Sequence, residues 1–285
     1  HATGLIFADT ITNNLFFTSF KFNIVKNNKI ISDYAVAIKD VKKVDNKYFS
    51  FAASGISGLF SIDENLKSDW DLIFNKNKSK EFSGFGQAML INRVNGKSTE
   101  YNPANKTIYY ATNNGLIAVT NDGKNKEIKY KNKTLHLIKI QKYRDKIYGL
   151  STSEKMYVIN SSNEVSPLKL PYFLSNENFN KFFICNQYCY LFTSHSVYEF
   201  NFISSEVQKV LSLSSDIEAT DVILKNNKLF FATSKGIVIK NRKEIGNYPK
   251  PKLFINEFQV NGKQRELNKF LLLQPDENDI SIGFN

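Results

Sequence analysis

Three histidines, two cysteines and one pair of close aspartates are the side chains in this 285-residue sequence whose types and spacing invite a chemical reading. Asp69 and Asp71 flank Trp70 in "SDWDLIF". On a strand the two carboxylates would share one face, with Trp70 on the other. Two placed carboxyl groups are what glycoside hydrolysis requires, but this pair reads as solvated carboxylates at a strand edge. The Trp70-Asp71 dipeptide occurs once and lacks a Gly-His partner, so it makes no WD40 repeat. His1, His136 and His195 have no metal-ligand spacing. His136 opens a strand in "TLHLIKI", and His195 sits in the turn "TSHSV", where a solvent-exposed histidine is expected. No phosphate loop or nucleophile elbow is present. A sialidase-like site needs an arginine cluster, and the chain holds only Arg93, Arg144, Arg242 and Arg265, with one Trp. No catalytic residue, metal site or cofactor is expected.

Cys185 and Cys189 lie in "FFICNQYCYLF". If Asn186-Gln187 is a two-residue turn, Cys185 pairs with Tyr188 and Cys189 lies opposite Ile184, so no bridge can form. A three-residue loop would place the sulfurs opposite each other. Free, buried thiols are the favoured reading.

The formal net charge is +11, which raises the possibility of nucleic-acid binding. The positive charge is nearly all lysine, scattered among asparagines in turns. Arginine is the preferred reader of phosphates and base edges, so no nucleic-acid partner is expected. A polyanionic glycan, sulfated or uronic, remains compatible with the summed charge. No run of about 18 apolar residues marks a membrane helix. The chain starts at His1 rather than Met and reads as a processed or cut fragment.

The elements that would position any site come from a repeat. "NKLFFATSKGIVIKN" near the C-terminus and "NKTIYYATNNGLIAV" about 120 residues earlier share one pattern. Aligned on Thr233 and Gly236, the pattern recurs at Thr112 and Gly115, at Thr193 and Ser196, and at Ala52 and Gly55. Ser151 takes the Thr position in a copy with one extra residue, and Ser19 takes it in the first copy. The later anchors are spaced by 39, 42 and 40 residues. Each copy reads as a strand, a tight polar turn, the "LFFAT" strand, a small-residue turn, a "GIVIKN" strand and a more polar closing strand. Four short antiparallel strands every ~40 residues predict a β-propeller blade. The fold class is therefore all-β, a propeller of six visible repeats in a ring of six or seven blades, plus the beginning of a small β-sandwich.

The repeat cores "NKLFFATSKGIVIKN" and "KTIYYATNNGLIAVTND" resemble the two-component-regulator propeller repeat, with Phe230 or Tyr109 at its usual Trp position. The C-terminal "PKPKLFINEFQVNGKQRELNKFLLLQPDENDISIGFN", with its Asn261-Gly262 turn, resembles the start of the triple-tyrosine domain that follows such propellers. The resemblance divides the chain into a propeller, 1–248, and the N-terminal part of a triple-tyrosine domain, 249–285. It implies a periplasmic sensor region of a hybrid two-component receptor with a histidine kinase or regulator beyond the membrane. It also implies a homodimer through the full-length receptor, membrane contact only through segments outside this chain, and a small oligosaccharide or polyanionic glycan as ligand. A protein-interaction propeller is the second reading and a carbohydrate-active enzyme the third.

A saccharide pocket joins aromatic faces to amides, hydroxyls or charges. The turns after the Thr position offer one ligand-binding set: Asn113, Asn114, His195, Ser234 and Lys235. Trp70 and Tyr101, around the irregular stretch before the third copy, are the other; inter-blade packing is the competing role for each aromatic.

Overall fold

The computed structural model describes residues 6–9, 14–18, 22–26, 29–34, 38–45, 48–61, 90–92, 94–122, 124–175, 177–242, 255–266 and 272–284. The chain divides into two compact units, His1–Arg242 and Lys243–Asn285. The first unit is a succession of six antiparallel sheets, each formed by consecutive strands. Blade one runs from Ile6 to Tyr34, blade two from Ile38 to Asn92 and blade three from Gly96 to Thr134. Blade four runs from Leu137 to Pro167, blade five from Lys181 to Ser212 and blade six from Ala219 to Asn241. The first strands of blades two to six, Ile38–Lys43, Gly96–Asn102, Leu137–Tyr143, Lys181–Cys185 and Ala219–Lys225, touch their neighbours in chain order. They are the inner strands of a β-propeller, the architecture the repeat predicts.

The core lies between blades, because one sheet cannot bury both of its own faces. Tyr109 and Leu116 of blade three pack with Leu137 and Ile147 of blade four. Tyr148 and Leu150 of blade four pack with Phe182, Cys189 and Leu191 of blade five. The aromatic three residues before each Thr position recurs as Tyr109, Tyr148, Tyr190 and Phe230. The first three are buried against neighbours, whereas the same side of blade six is open, with Ile223, Ile237 and Ile239 exposed by 61%, 71% and 56%.

An inner strand leaves one edge of backbone groups without a ladder partner. Side chains of the preceding blade supply acceptors for that edge. Asp40 Oδ2 accepts from Thr99 N at 3.2 Å, and Ser98 Oγ from Ile140 N at 3.2 Å. Glu100 Oε2 accepts from Lys142 N at 3.2 Å, and Gln141 Oε1 from Ile184 N at 2.8 Å. These four polar side chains are thus hydrogen-bonded within otherwise apolar interfaces, as most buried polar groups are.

The Thr-x-x-Gly signature is a turn device. Thr112 Oγ1 donates to Gly115 O at 2.8 Å and accepts from Asn114 N at 3.1 Å. Thr233 does the same with Gly236 O at 2.8 Å and Lys235 N at 3.3 Å. Thr193 repeats it with Ser196 O at 3.2 Å. A short hydroxyl side chain stapling its own turn is what Ser and Thr do in such loops. Gly115 and Gly236 have φ of +112° and +123°, which disfavours any side chain. A Cβ at Gly115 would also sit 2.6 Å from Thr134 Cγ2, whereas one at Gly236 meets nothing within 4 Å. Gly236→Ala is therefore expected to cost about 1–2 kcal/mol from backbone strain alone. Gly115→Ala is expected to cost about 2–4 kcal/mol, strain plus overlap. Urea unfolding of the two variants checks the order; equal losses would contradict it.

One anchor shifts by one residue, and another lies outside the described residues. In blade two, Ile38 pairs with Ala53 as Ala219 pairs with Thr233, so Ala53 rather than Ala52 holds the Thr position. Gly55, with φ +80°, lies inside the turn instead of opening the next strand. In blade one Ser19 lies outside the described residues, and the last paired residue of that hairpin is Thr18, opposite Phe22. The cysteine hairpin has the two-residue turn: Cys185 pairs with Tyr188 and Ile184 with Cys189. Both thiols are free; burial pushes that of Cys189 well up, whereas Cys185 is only half-buried, contrary to the expectation of two buried thiols.

The second unit carries Ile255–Val260 between Lys263–Gln264 and Ile280–Phe284 in a three-stranded antiparallel sheet. Asn261 and Gly262, at φ +49° and +72°, form the turn that their sequence predicts. Phe258 and Val260 are buried. Among the described residues no helix is long and apolar enough to cross a membrane.

Candidate functional site

The turns between second and third strands lie at one end of the propeller, beside the segments that lead into the inner strands. Asn113 N donates to Asn95 O at 2.9 Å, and its side-chain oxygen accepts from Asn95 N at 2.8 Å. Asn95 in turn accepts from Gly55 N at 2.8 Å, chaining the turns of blades two and three. Thr152 N donates to His136 O at 3.0 Å in blade four. Ser234 N donates to Glu218 O at 2.8 Å, and its Oγ accepts from Glu218 N at 3.1 Å.

These bonds place the sequence-predicted residues. Asn113 and Ser234 brace their own blades. Lys235 pairs with Asp216. Asn114 and His195 are exposed. All five share the same end of the propeller but sit on three blades, and no contact joins one blade's set to another's among the described residues. Tyr101 belongs elsewhere. Its strand begins opposite Thr112 and ends opposite Thr107, which puts Tyr101, paired with Ile108, at the far end. It packs against Tyr48, Leu59, Ile108 and Tyr110. Trp70, with Asp69 and Asp71, lies outside the described residues.

The end that carries the turns holds a cleft of about 390 Å³ between blades three and four, absent from the sequence-derived set. One wall is an extension of blade three. Its fourth strand, Asn125–Tyr130, turns at Lys131 and Asn132, both at positive φ, and pairs back through Lys133–Thr134. This makes blade three five-stranded. The other wall is the blade-four turn Ser151–Ser153, which carries the extra residue of its repeat. Ser151 Oγ lies 2.9 Å from Ser153 Oγ and accepts from Lys155 N at 3.1 Å. Buried Leu135 lies at the base.

Two half-buried rings span the cleft. Tyr130 and Tyr157 meet edge to face with centroids 5.2 Å apart. Among the described residues neither phenol makes a hydrogen bond. The same holds for the exposed His136 side chain. Lys131 Nζ lies 5.4 Å from the Tyr130 ring centroid, and Lys133 is exposed. No carboxylate lines the cleft. Glu127, behind the blade-three wall, receives Thr134 Oγ1 at 2.8 Å and pairs with Lys129 at 3.1 Å. The Thr134 and Lys129 bonds hold its carboxyl below the usual glutamate range. Chemically the cleft offers apolar ring surface, free hydroxyl and imidazole groups, and unpaired positive charge. Among the described residues its lining holds no pair of carboxyl groups, and no group of His, Cys, Asp and Glu could hold a metal ion.

A second cleft of about 450 Å³ lies between blades four and five. Tyr148 and Phe202 line it with centroids 4.5 Å apart, and Phe202 stacks on Tyr143 at the same distance. Its lining is more aromatic and aliphatic. Burial, with smaller contributions from neighbouring groups, pushes the Tyr148 phenol up to about 12.

No protein-family model matches the sequence, and no curated protein does. Solved structures do match. The extracellular domain of the putative hybrid two component system BT4673 from B. thetaiotaomicron is 13% identical, with a TM-score of 0.61 over 87% of this chain and 32% of that one. That of BT3049 from the same organism is 14% identical, with a TM-score of 0.60 over 98% of this chain and 40% of that one. Virginiamycin B lyase from Staphylococcus aureus is 14% identical, with a TM-score of 0.55 over 82% of each chain. The chain thus spans about a third to two fifths of the receptor domains it matches. At these identities the likeness is one of fold: the chain has the propeller architecture found in the extracellular domains of hybrid two-component systems, as its repeat resemblance implies.

Proposed function

We propose that this chain is an extracytoplasmic ligand-sensing segment of a signal-transduction receptor, and that it binds a small saccharide without turning it over. The observation that carries the reading is the cleft between blades three and four. Tyr130 and Tyr157 give ring surface for the apolar faces of a sugar, and unsatisfied hydroxyl and imidazole groups face its hydroxyls. Such a mix of apolar wall and few polar groups is what small-molecule sites have. The extracellular receptor domains that share the fold support the sensor role. The absence of a lining carboxylate among the described residues favours binding over glycoside hydrolysis of the usual kind, which needs two placed carboxyl groups. Signalling then requires only that the ligand bind one arrangement of the receptor better than the other.

Calorimetric titration with a panel of neutral, uronic and sulfated oligosaccharides tests the reading, with a reducing-end assay run on the same samples. Saturable binding with constant reducing ends is expected. Release of reducing ends, or no binding across the panel, would overturn it.

A further inference from the structure

Resting on that reading, we infer that the blade three–four cleft selects a saccharide bearing an acidic substituent, with Lys131 and Lys133 as the groups that recognise the charge. Four observations converge. Both lysines lie on the tight turn that closes the extra hairpin of blade three, at the rim of the cleft. Neither forms an ion pair among the described residues, whereas Lys129, one turn away, is committed to Glu127. The cleft lining adds a third nitrogen base, His136, and no carboxylate. On the lysines' own wall the acid beside them, Glu127, is already occupied by Thr134 and Lys129. Glu154 belongs to the opposing turn but is not part of the lining.

The hairpin has no equivalent in the other described blades, so these charges are not a by-product of the repeat. The turn also has a defined local geometry. Lys131 and Asn132 both take positive φ, the geometry of a two-residue hairpin turn, and Thr134 is tied to Glu127. Lys131 rests over the Tyr130 ring, so charge and ring surface arrive together. A ring seated against the two tyrosines would bring a sulfate or carboxylate substituent within reach of ammonium groups that form no ion pair among the described residues. Charge-assisted hydrogen bonds of that kind are about twice as strong as neutral ones.

The probes are a sulfated disaccharide, its desulfated counterpart and a uronic-acid disaccharide, titrated into the whole chain at low and high salt. The wild-type chain should bind each acidic disaccharide about tenfold or more tighter than the neutral one. Raising the salt should erode that margin. In the double variant Lys131→Gln/Lys133→Gln the margin between acidic and neutral disaccharides, measured within the variant, should vanish. Both lysines are exposed, so the variant should melt with the wild type. The tighter of the two acidic probes identifies sulfate or carboxylate as the source of charge. Equal binding of acidic and neutral probes, or a margin that survives in the double variant, would overturn the inference while leaving saccharide binding intact. Binding of poly-glutamate as tightly as the acidic sugars would overturn the saccharide part. No binding of any sugar would instead overturn the functional reading beneath it.

Discussion

Replacing Arg242 with alanine is expected to lower the unfolding free energy of the propeller by about 3–5 kcal/mol. Arg242 ends the first unit. Its Nε and Nη2 donate to the two carboxylate oxygens of Glu199 at 3.1 and 3.0 Å. Its guanidinium lies 3.7 Å from the centroid of the Tyr188 ring. Glu199, in the third strand of blade five, is only 3% exposed. It also accepts from Tyr190 Oη at 2.8 Å and Gln208 Nε2 at 2.9 Å. The hydrogen bonds to Glu199 raise the Arg242 pKa further, so the guanidinium stays charged. Removing it leaves a buried carboxylate with two neutral donors and no counter-ion, and breaks a tie between blades five and six. At 2–4 °C per kcal/mol for a domain of this size, the melting temperature should fall on the order of 10 °C. The double variant Arg242→Met/Glu199→Leu should recover much of the loss, because the buried charge goes with its partner. Thermal and urea unfolding of the two variants decide this. A loss below about 1 kcal/mol for Arg242→Ala would mean that the pair contributes as little as an exposed one.

The second large effect lies among the inner strands. Asp40 of blade two is 2% exposed. Its Oδ2 accepts from Ser98 Oγ at 2.5 Å, Thr99 N at 3.2 Å and Lys139 Nζ at 3.3 Å, so one carboxylate joins blades two, three and four. Asp40→Ala is expected to cost about 2–4 kcal/mol, since a buried hydroxyl and a backbone N–H lose their acceptor together. Lys139 is 30% exposed and can turn to water, which keeps the cost below that at Arg242. Asp40→Asn keeps an acceptor oxygen and should cost less than half as much. If alanine and asparagine behave alike in urea unfolding, the charge of Asp40 rather than its geometry carries the effect.

What the sequence discloses follows from how local each feature is. The Thr-x-x-Gly turn is closed by a hydroxyl on its own backbone, so six sheets could be read from composition and spacing. The Asn186-Gln187 and Asn261-Gly262 turns were legible for the same reason. The anchor of blade two slips by one residue because a glycine can serve either within the turn, as Gly55 does, or just after it, as Gly115 does; spacing alone does not separate the two. The inter-blade acceptors Asp40, Ser98, Glu100 and Gln141 depend on which blade follows which, and nothing in a single repeat marks them. The sugar-binding candidates fared by the same logic. Asn113 and Ser234 look like displayed turn amides and hydroxyls, but their hydrogen bonds are spent on their own blades. Tyr101 is an inner-strand aromatic at the far end, where it packs. The cleft joins residues about 20 positions apart in two repeats, so it emerges only when blades three and four pack. Its one sequence signal was where the repeat is interrupted: "KNKT" after the fourth strand of blade three, and the extra residue in "STSEK". Departures from a repeat collect in loops on one face, often the binding face.

The measurement that tests the account most directly is backbone hydrogen–deuterium exchange of the chain, with and without a saturating acidic disaccharide. The account predicts slowed exchange in two separate peptides, one covering Lys131–His136 and the other Thr152–Lys155, with little change at the opposite end of the propeller. Protection confined to that opposite end, around residues 143–146 and 202–206, or no protection at all, would contradict it.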